Sequence, residues 1–420
     1  MFTNMTMLTR TAFAAAMDEM LSINDAIRFL EEGLKTRSLR SILDKFANGM
    51  DEKSLRNLLV SGLKENHPEM KKDSVEKRVR GWMNPQNRHS LYKADAIEVA
   101  LILGLPLPEA DEFVTMISGE HLHWRSAKEI IYIYALQNGL RYPEAGALET
   151  RLEKYLDPKT VKEKSKEEIQ DSDLNEHIRT QIEMIHSEEE LRSFLTRESG
   201  RLGELHNQAY MLFSDMLDQL TTPVSEEEAE IRQGEKEHLT IRDILREYLF
   251  QNIVLEAKNR AVTSKKLVKK GELPKESQFI LSRIQKDISD EWPEETTLSK
   301  MKSRKADVTR KTLILLFLAT YSGEDTFAAT MQEGYDVYPG DYSEDFPFPE
   351  DEELTREDVF LDTKDRIDFM LSLCGFAALD PRSSFDWLIL YCMCAEDLLD
   401  MDDRMRNMFL QMFGDGSGDS

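Results

Sequence analysis

The chain has 420 residues, with 54 Lys and Arg against 79 Asp and Glu, a formal net charge of -25 and three cysteines. Such a length buries a sizeable core and divides, at roughly 100–200 residues each, into two or three domains. The acidic sum speaks against a uniformly cationic nucleic-acid binder and turns attention to where the cations lie. The odd count of Cys374, Cys392 and Cys394 argues for free thiols in a reducing compartment. The longest apolar runs, Leu313 to Ala319 and Trp387 to Ala395, fall far short of the ~20 residues that span a bilayer, so a cytoplasmic protein without a membrane partner is expected.

Every periodic segment reads as helix, and no convincing strand alternation occurs. Met1 to Arg10 reads as a frayed start, and the apolar patch Ala12 to Met17, cut off by Asp18 and Glu19, is too short for a signal sequence. Ala12 to Leu34 carries Phe13, Met17, Leu21, Ala26, Phe29 and Leu30 at helical intervals, with Ser22 and Asn24 as a cap for its second part. Ser38 to Phe46 and Lys53 to Lys64 are amphipathic helices separated by Asn48-Gly49, a natural stop. His67-Pro68 ends the second. Ser74 to Trp82 places Val75, Val79 and Trp82 on one face and Lys77, Arg78 and Arg80 mostly on the others. Asn84 to Asn87 breaks the chain, and Ser90 caps an apolar helix to Leu103, stopped by Gly104-Leu105-Pro106. Pro108 opens a helix that Gly119 closes, and Ser126 to Asn138 forms the next.

Leu156 to Asp173 is polar and charge-mixed, as a linker or solvated helix would be. Leu174 to Leu220 keeps one long helical pattern, and Leu239 to Leu255 reads as a single strong helix with Ile241, Ile244, Leu245, Leu249 and Val254. This middle region suits a spacer or a homo-oligomer contact. Tyr321 to Thr363 is acidic, rich in Pro and Gly, and reads as an insertion loop.

An internal repeat is suspected. Phe113 to Gly119 matches Phe369 to Gly375, and Arg125-Ser-Ala-Lys-Glu to Ala135 matches Arg382-Ser-Ser-Phe-Asp to Cys392, with Arg, Ser, acid and Tyr coinciding. Upstream, Arg88-His89-Ser90-Leu91 answers to Arg310-Lys311-Thr312-Leu313. The chain is therefore expected to be all-α and multi-domain: 11–156 an N-terminal helical domain, 157–173 a polar linker, 174–295 a helical middle region, 296–413 a related C-terminal domain around the insertion 321–363, and 414–420 a disordered tail.

Arg80-Gly81-Trp82-Met83-Asn84-Pro85, the helix ending Ala100-Leu101-Ile102-Leu103-Gly104-Leu105, and Pro108-Glu109-Ala110 together resemble the lambda-repressor-like (Xre-type) helix-turn-helix family, over about Ser38 to Ile117. The family's short Gly-containing turn before the third helix is replaced here by His67-Pro68-Glu69-Met70-Lys71-Lys72. The resemblance implies DNA binding and bacterial or phage-type transcriptional regulation, with a recognition helix near Asp73 to Trp82 whose Lys77, Arg78 and Arg80 reach phosphates or base edges.

The cations themselves form a candidate nucleic-acid contact set of Lys71, Lys72, Lys77, Arg78, Arg80 and Arg88; the plain alternative is a solvated helix face. A second basic run, Lys265 to Lys270 and Lys300 to Lys305, either extends such a surface or pairs with the acidic insertion, which then mimics phosphate. His121-x-His123 lacks a third ligand at metal spacing, and Cys392-x-Cys394 on a helix points two ways. Trp124, Trp387, Tyr134 and Tyr391 read as core aromatics. No phosphate loop, nucleophile elbow or zinc-protease motif occurs, so no catalytic residue, cofactor or metal is expected. A protein-interaction scaffold without DNA contacts is the competing class, favoured by the overall acidity.

Overall fold

A computed structural model describes residues 7–18, 21–34, 38–84, 91–152, 173–198, 202, 205–221, 239–272, 283–320, 356–394 and 398–414. Among these residues the protein is all-α, with no strand beyond an isolated bridge and no helix long and apolar enough to cross a membrane. Helices α1 (Met7–Ala16) and α2 (Ile23–Arg28) come first, then α3 (Leu39–Phe46), α4 (Glu52–Asn66), α5 (Lys72–Trp82) and α6 (Lys93–Leu103). Next are α7 (Leu107–Ser118), α8 (Ala127–Gln137), α9 (Tyr142–Leu152), α10 (Asp173–Glu183) and α11 (Glu188–Glu198). The remainder comprises α12 (Asn207–Thr221), α13 (Ile241–Glu247), α14 (Gln251–Lys269), α15 (Arg283–Ser289), α16 (Glu295–Lys302) and α17 (Arg310–Thr320). Last come α18 (Arg356–Leu373), α19 (Ser384–Met393) and α20 (Leu398–Phe413). The described residues fall into two compact units, one drawn from 37–207 and 371–377, the other from 1–36, 208–370 and 378–420.

The first unit, which holds α3 to α11, is built around α6 and α8. Ala96 to Leu101 of α6 and Ile130 to Leu136 of α8 are buried almost all round, as central helices should be. Against α6 lies α4, burying Leu55, Leu59 and Leu63. The approach is close enough to require glycine: a Cβ on Gly62 would meet the Ile102 side chain at 2.6 Å. Boundaries are set by local chemistry. Ser38, Asp51 and Ser126 accept amide hydrogens as N-caps, and Gly104 and Gly119 end α6 and α7 in the left-handed region at φ 65° and 78°. The expected Ser90 cap is corrected: α6 starts at Lys93 behind Tyr92, which makes no side-chain capping bond, and Ser90 lies outside the described residues. The long pattern from Leu174 to Leu220 is divided among α10, α11 and α12.

The second unit packs α1 and α2 against α19 and α20. Trp387 and Tyr391, fully buried, stack at 5.5 Å, and Phe29 lies 5.0 Å from Trp387. Both ring polar groups are satisfied by backbone far away in sequence: Trp387 Nε1 donates to the Ala12 carbonyl and the Tyr391 hydroxyl to that of Leu21, each at 2.8 Å. Two expectations change here. The single helix Leu239 to Leu255 is broken into α13 and α14, because Phe250 adopts φ 46° and buries its ring 5.3 Å from Phe409. The end of the acidic insertion, up to Thr363, is helical and part of α18. Phe360 there is buried edge-on to Phe13 at 5.8 Å, and Thr363 is buried too. The stretch 321–355, the 157–172 linker and the tail 415–420 lie outside the described residues.

Two turns, one in each unit, are built alike. Before α8, Asp111 accepts the amide of Leu122 (2.7 Å) and Glu129 accepts that of His123 (2.7 Å), with Ser126 as the cap. Before α19, Asp368 accepts the amide of Leu379 (2.7 Å) and Asp386 that of Asp380 (2.9 Å), with Ser383 as the cap. Each acid also holds a cation from the start of an 11-residue helix, Lys93 on Glu129 at 3.0 Å and Arg310 on Asp386 at 2.8 Å. Among the described residues the geometric counterpart of Arg310 is thus Lys93; Arg88, its match by letter, lies outside them. Within the first unit, Gly119 and Gly375, both left-handed, are joined reciprocally: His121 donates to the Gly375 carbonyl and Ala377 to that of Gly119, both at 2.9 Å.

Candidate nucleic-acid interface

Five of the six predicted cations, Lys71, Lys72, Lys77, Arg78 and Arg80, lie on or at the start of α5, which packs on α4. The connection between the two helices, His67 to Lys71, is long, yet it is tied at several points. Lys64 Nζ donates to the carbonyls of Pro68 (2.7 Å) and Met70, while the nearly buried Glu98 of α6 receives Asn66 Nδ2 at 2.7 Å and sits 3.0 Å from His67 Nε2. Such bonds hold α4 and α5 at one angle, which the presentation of a reading helix needs. Val75, Val79 and Trp82 anchor α5 from beneath.

The predicted site residues separate into three groups. Arg78 is taken up internally: it pairs with Asp95 of α6 at 2.8 Å and lies 5.0 Å over the Trp82 ring, so it staples α5 to α6. Lys72 is exposed and only loosely paired with Glu76 at 3.8 Å, and Lys71 sits exposed at the N-cap. Lys77 and Arg80 are exposed and make no ion pair with any described residue. They lie three apart, on one side of the helix. Arg88 lies outside the described residues.

Beside α5 runs a cleft of about 420 Å³ lined by Glu52, Lys53, Arg56, Asn57, Val60 and Glu76. Lys53, Arg56 and Asn57 of α4 were not among the predicted contacts. Their signal, a polar stripe at i, i+3 and i+4 opposite Leu55 and Leu59, was present in the sequence. The face is mixed in sign, since Glu52, Asp73 and Glu76 stand among the cations. It offers hydrogen-bond donors and positive charge to a phosphate or a base edge, and no group placed for covalent chemistry.

Other sequence candidates are engaged elsewhere. His121 Nδ1 lies 2.8 Å from Asp111 and 3.1 Å from Thr115, whereas His123 stacks on His206 at 3.9 Å between ring centres. The two rings thus serve different partners, and the described residues contain no cluster fit for a metal ion. Burial, and then the proximity of His206, Lys93 and Arg125, holds His123 well below the ordinary imidazole range. Trp387, Tyr391 and Tyr134 are core residues; Trp124 is half-buried and stacks under Arg179. Cys374, Cys392 and Cys394 are buried. No protein-family model, no curated protein and no solved structure matches the chain.

Proposed function

We propose that the first unit binds duplex DNA through the face shared by α4 and α5 and that the protein acts as a cytoplasmic helix-turn-helix regulator of transcription rather than an enzyme. The observation that carries this reading is the pair Lys77 and Arg80, solvent-facing and without an ion pair among the described residues, on a short helix whose opposite face and entry turn are both tied down. The Arg80-Gly81 to Asn84-Pro85 pattern supports it. Lys77 and Arg80 contact phosphates or base edges, Arg's planar fork suiting guanine in the major groove. Lys53, Arg56, Lys71 and Lys72 contact the backbone on either side, and Arg78 is a positioning residue that keeps α5 on α6.

Fluorescence anisotropy with a mixed-sequence duplex at several salt concentrations tests the reading. Replacing Lys77 and Arg80 by Ala should make the dependence of log affinity on log salt shallower by about two. Unchanged affinity and slope would remove the DNA reading. In that event the mixture of Glu52, Asp73 and Glu76 with the cations favours the second reading, a scaffold that docks a protein partner through the same face.

A further inference from the structure

Cations outside the first unit concentrate on α14. Its first half is packed, with Val254, Leu255, Ala257 and Ala261 buried and Arg260 donating to the Phe413 carbonyl at 2.8 Å. Beyond Ala261 no described side chain of the helix is buried: Val262 is 45% exposed, and Lys265, Lys266, Lys269 and Lys270 are all exposed. Ser264 and Leu267 are half-buried, so this half of the helix keeps partial contact along one side while the four lysines line its solvent side. It keeps an ordered end. Gly271 sits at φ 74°, and the amide of Glu272 donates to the Leu267 carbonyl at 2.9 Å, the bond that closes a Schellman cap.

From Ala257 to Gly271 there are six cations, Lys258, Arg260, Lys265, Lys266, Lys269 and Lys270, and no Asp or Glu, in a chain where acids outnumber bases 79 to 54. The helix dipole favours a cation or two in a last turn. It does not account for four. Lys265 and Lys269, and Lys266 and Lys270, are like-charged i, i+4 pairs, an arrangement that works against an isolated helix. None of the four lysines makes an ion pair with a described residue. A solvated helix normally intersperses acids to relieve such repulsion; this one keeps its charge on one exposed side, up to its capped end.

We propose that the exposed lysine face of the C-terminal half of α14 docks on the phosphate backbone of duplex DNA, with Lys265, Lys266, Lys269 and Lys270 as sequence-independent contacts. The proposal rests on the reading above in taking DNA as the ligand, but on a different unit and different residues. It gives the second unit a part of the non-specific affinity, beside the backbone contacts of the first unit, while α5 supplies discrimination between sequences. Charge complementarity selects the ligand, because a polyanion relieves four adjacent lysines at once and releases counterions in doing so.

The test compares three full-length proteins on two duplexes of different sequence from about 50 to about 200 mM salt: wild type, K77A/R80A, and K265Q/K266Q/K269Q/K270Q, each checked for helicity by circular dichroism. The quadruple variant should lose affinity equally for both duplexes, and its log–log salt slope should be shallower by about three to four, so that the wild-type advantage shrinks roughly a hundredfold across that salt range. Wild-type affinity and slope in the quadruple variant would overturn the α14 proposal alone, provided K77A/R80A still weakens binding. No salt-dependent binding by the wild type would overturn both readings. Retained DNA binding with lost adhesion to phosphatidylserine vesicles would make α14 a membrane contact and likewise overturn the proposal.

Discussion

The turn from α7 into α8 and the turn from α18 into α19 hold their backbones with the same two carboxylate contacts, yet they are locked by different cations. At the second, Arg310 meets both oxygens of Asp386 at 2.8 Å and also donates to the Ala378 carbonyl at 3.1 Å; the Asp386 side chain is only 3% exposed. Burial alone would lower the Arg310 pKa, but Asp386 outweighs it and the net direction is upward. At the first, Lys93 offers a point charge to Glu129, whose side chain is 19% exposed, and reaches Glu120 at 3.6 Å as well. One hydrogen-bond scheme thus tolerates either a saturated fork or a single point charge on a less buried acid. What the two turns share is the carboxylate-to-amide scaffold, and what separates them is the cation.

Removing each cation in turn separates the two turns most strongly. Arg310→Met leaves a buried carboxylate without its partner and should cost about 3–5 kcal/mol in urea denaturation. Lys93→Met, beside an acid that water reaches, should cost about 1–2 kcal/mol. Equal costs would mean that the fork contributes nothing beyond its charge. A second pair of variants sharpens the similarity: Asp111→Ala and Asp368→Ala each strip one backbone amide and one side-chain partner, and should destabilise by matching amounts, about 1–3 kcal/mol. A difference of more than about 1 kcal/mol between them would separate the two turns.

The smallest effect belongs to the first turn only, because only there does a histidine adjoin the cation. His123 is buried near His206, Lys93 and Arg125, with Glu129 on its backbone amide, and its folded pKa is depressed below the ordinary 6.5. The unfolded imidazole therefore takes up a proton that the folded one refuses, so stability is full above about pH 6.5 and falls as pH drops below it. The limiting slope is about 1.4 kcal/mol per pH unit. Urea midpoints of wild type and His123→Gln between pH 7.5 and 5.5 would reveal it; parallel pH profiles would exclude His123 as the source.

Much of this was legible as local chemistry. Helical period, the Ser caps and the left-handed glycines mark α3 to α8 to within a few residues, and Ser126, Glu129, Ser383 and Asp386 stand out as matched letters. Asp111 and Asp368 do not, since a carboxylate reaching an amide eleven residues on leaves no periodic trace. Letter identity matches Arg310 to Arg88, which lies outside the described residues, whereas geometry, indifferent to the exchange of Lys for Arg, pairs it with Lys93. Phe250 shows tertiary packing overriding backbone preference: an aromatic residue rarely turns left-handed unless its ring is needed elsewhere. At the candidate interface, the exposure of Lys77 and Arg80 follows from the 3.6 period, but the capture of Arg78 depends on Asp95 from another helix, and Lys53 and Arg56 join the face only once α4 and α5 are packed.

The bond from Trp387 to the Ala12 carbonyl spans 375 residues. At a synthesis rate of about 5–20 residues per second, the acceptor leaves the ribosome roughly 20–75 s before its donor exists. Throughout that interval Phe13 and Phe29 wait without their aromatic partners, exposed to solvent or to whatever chaperone meets them first.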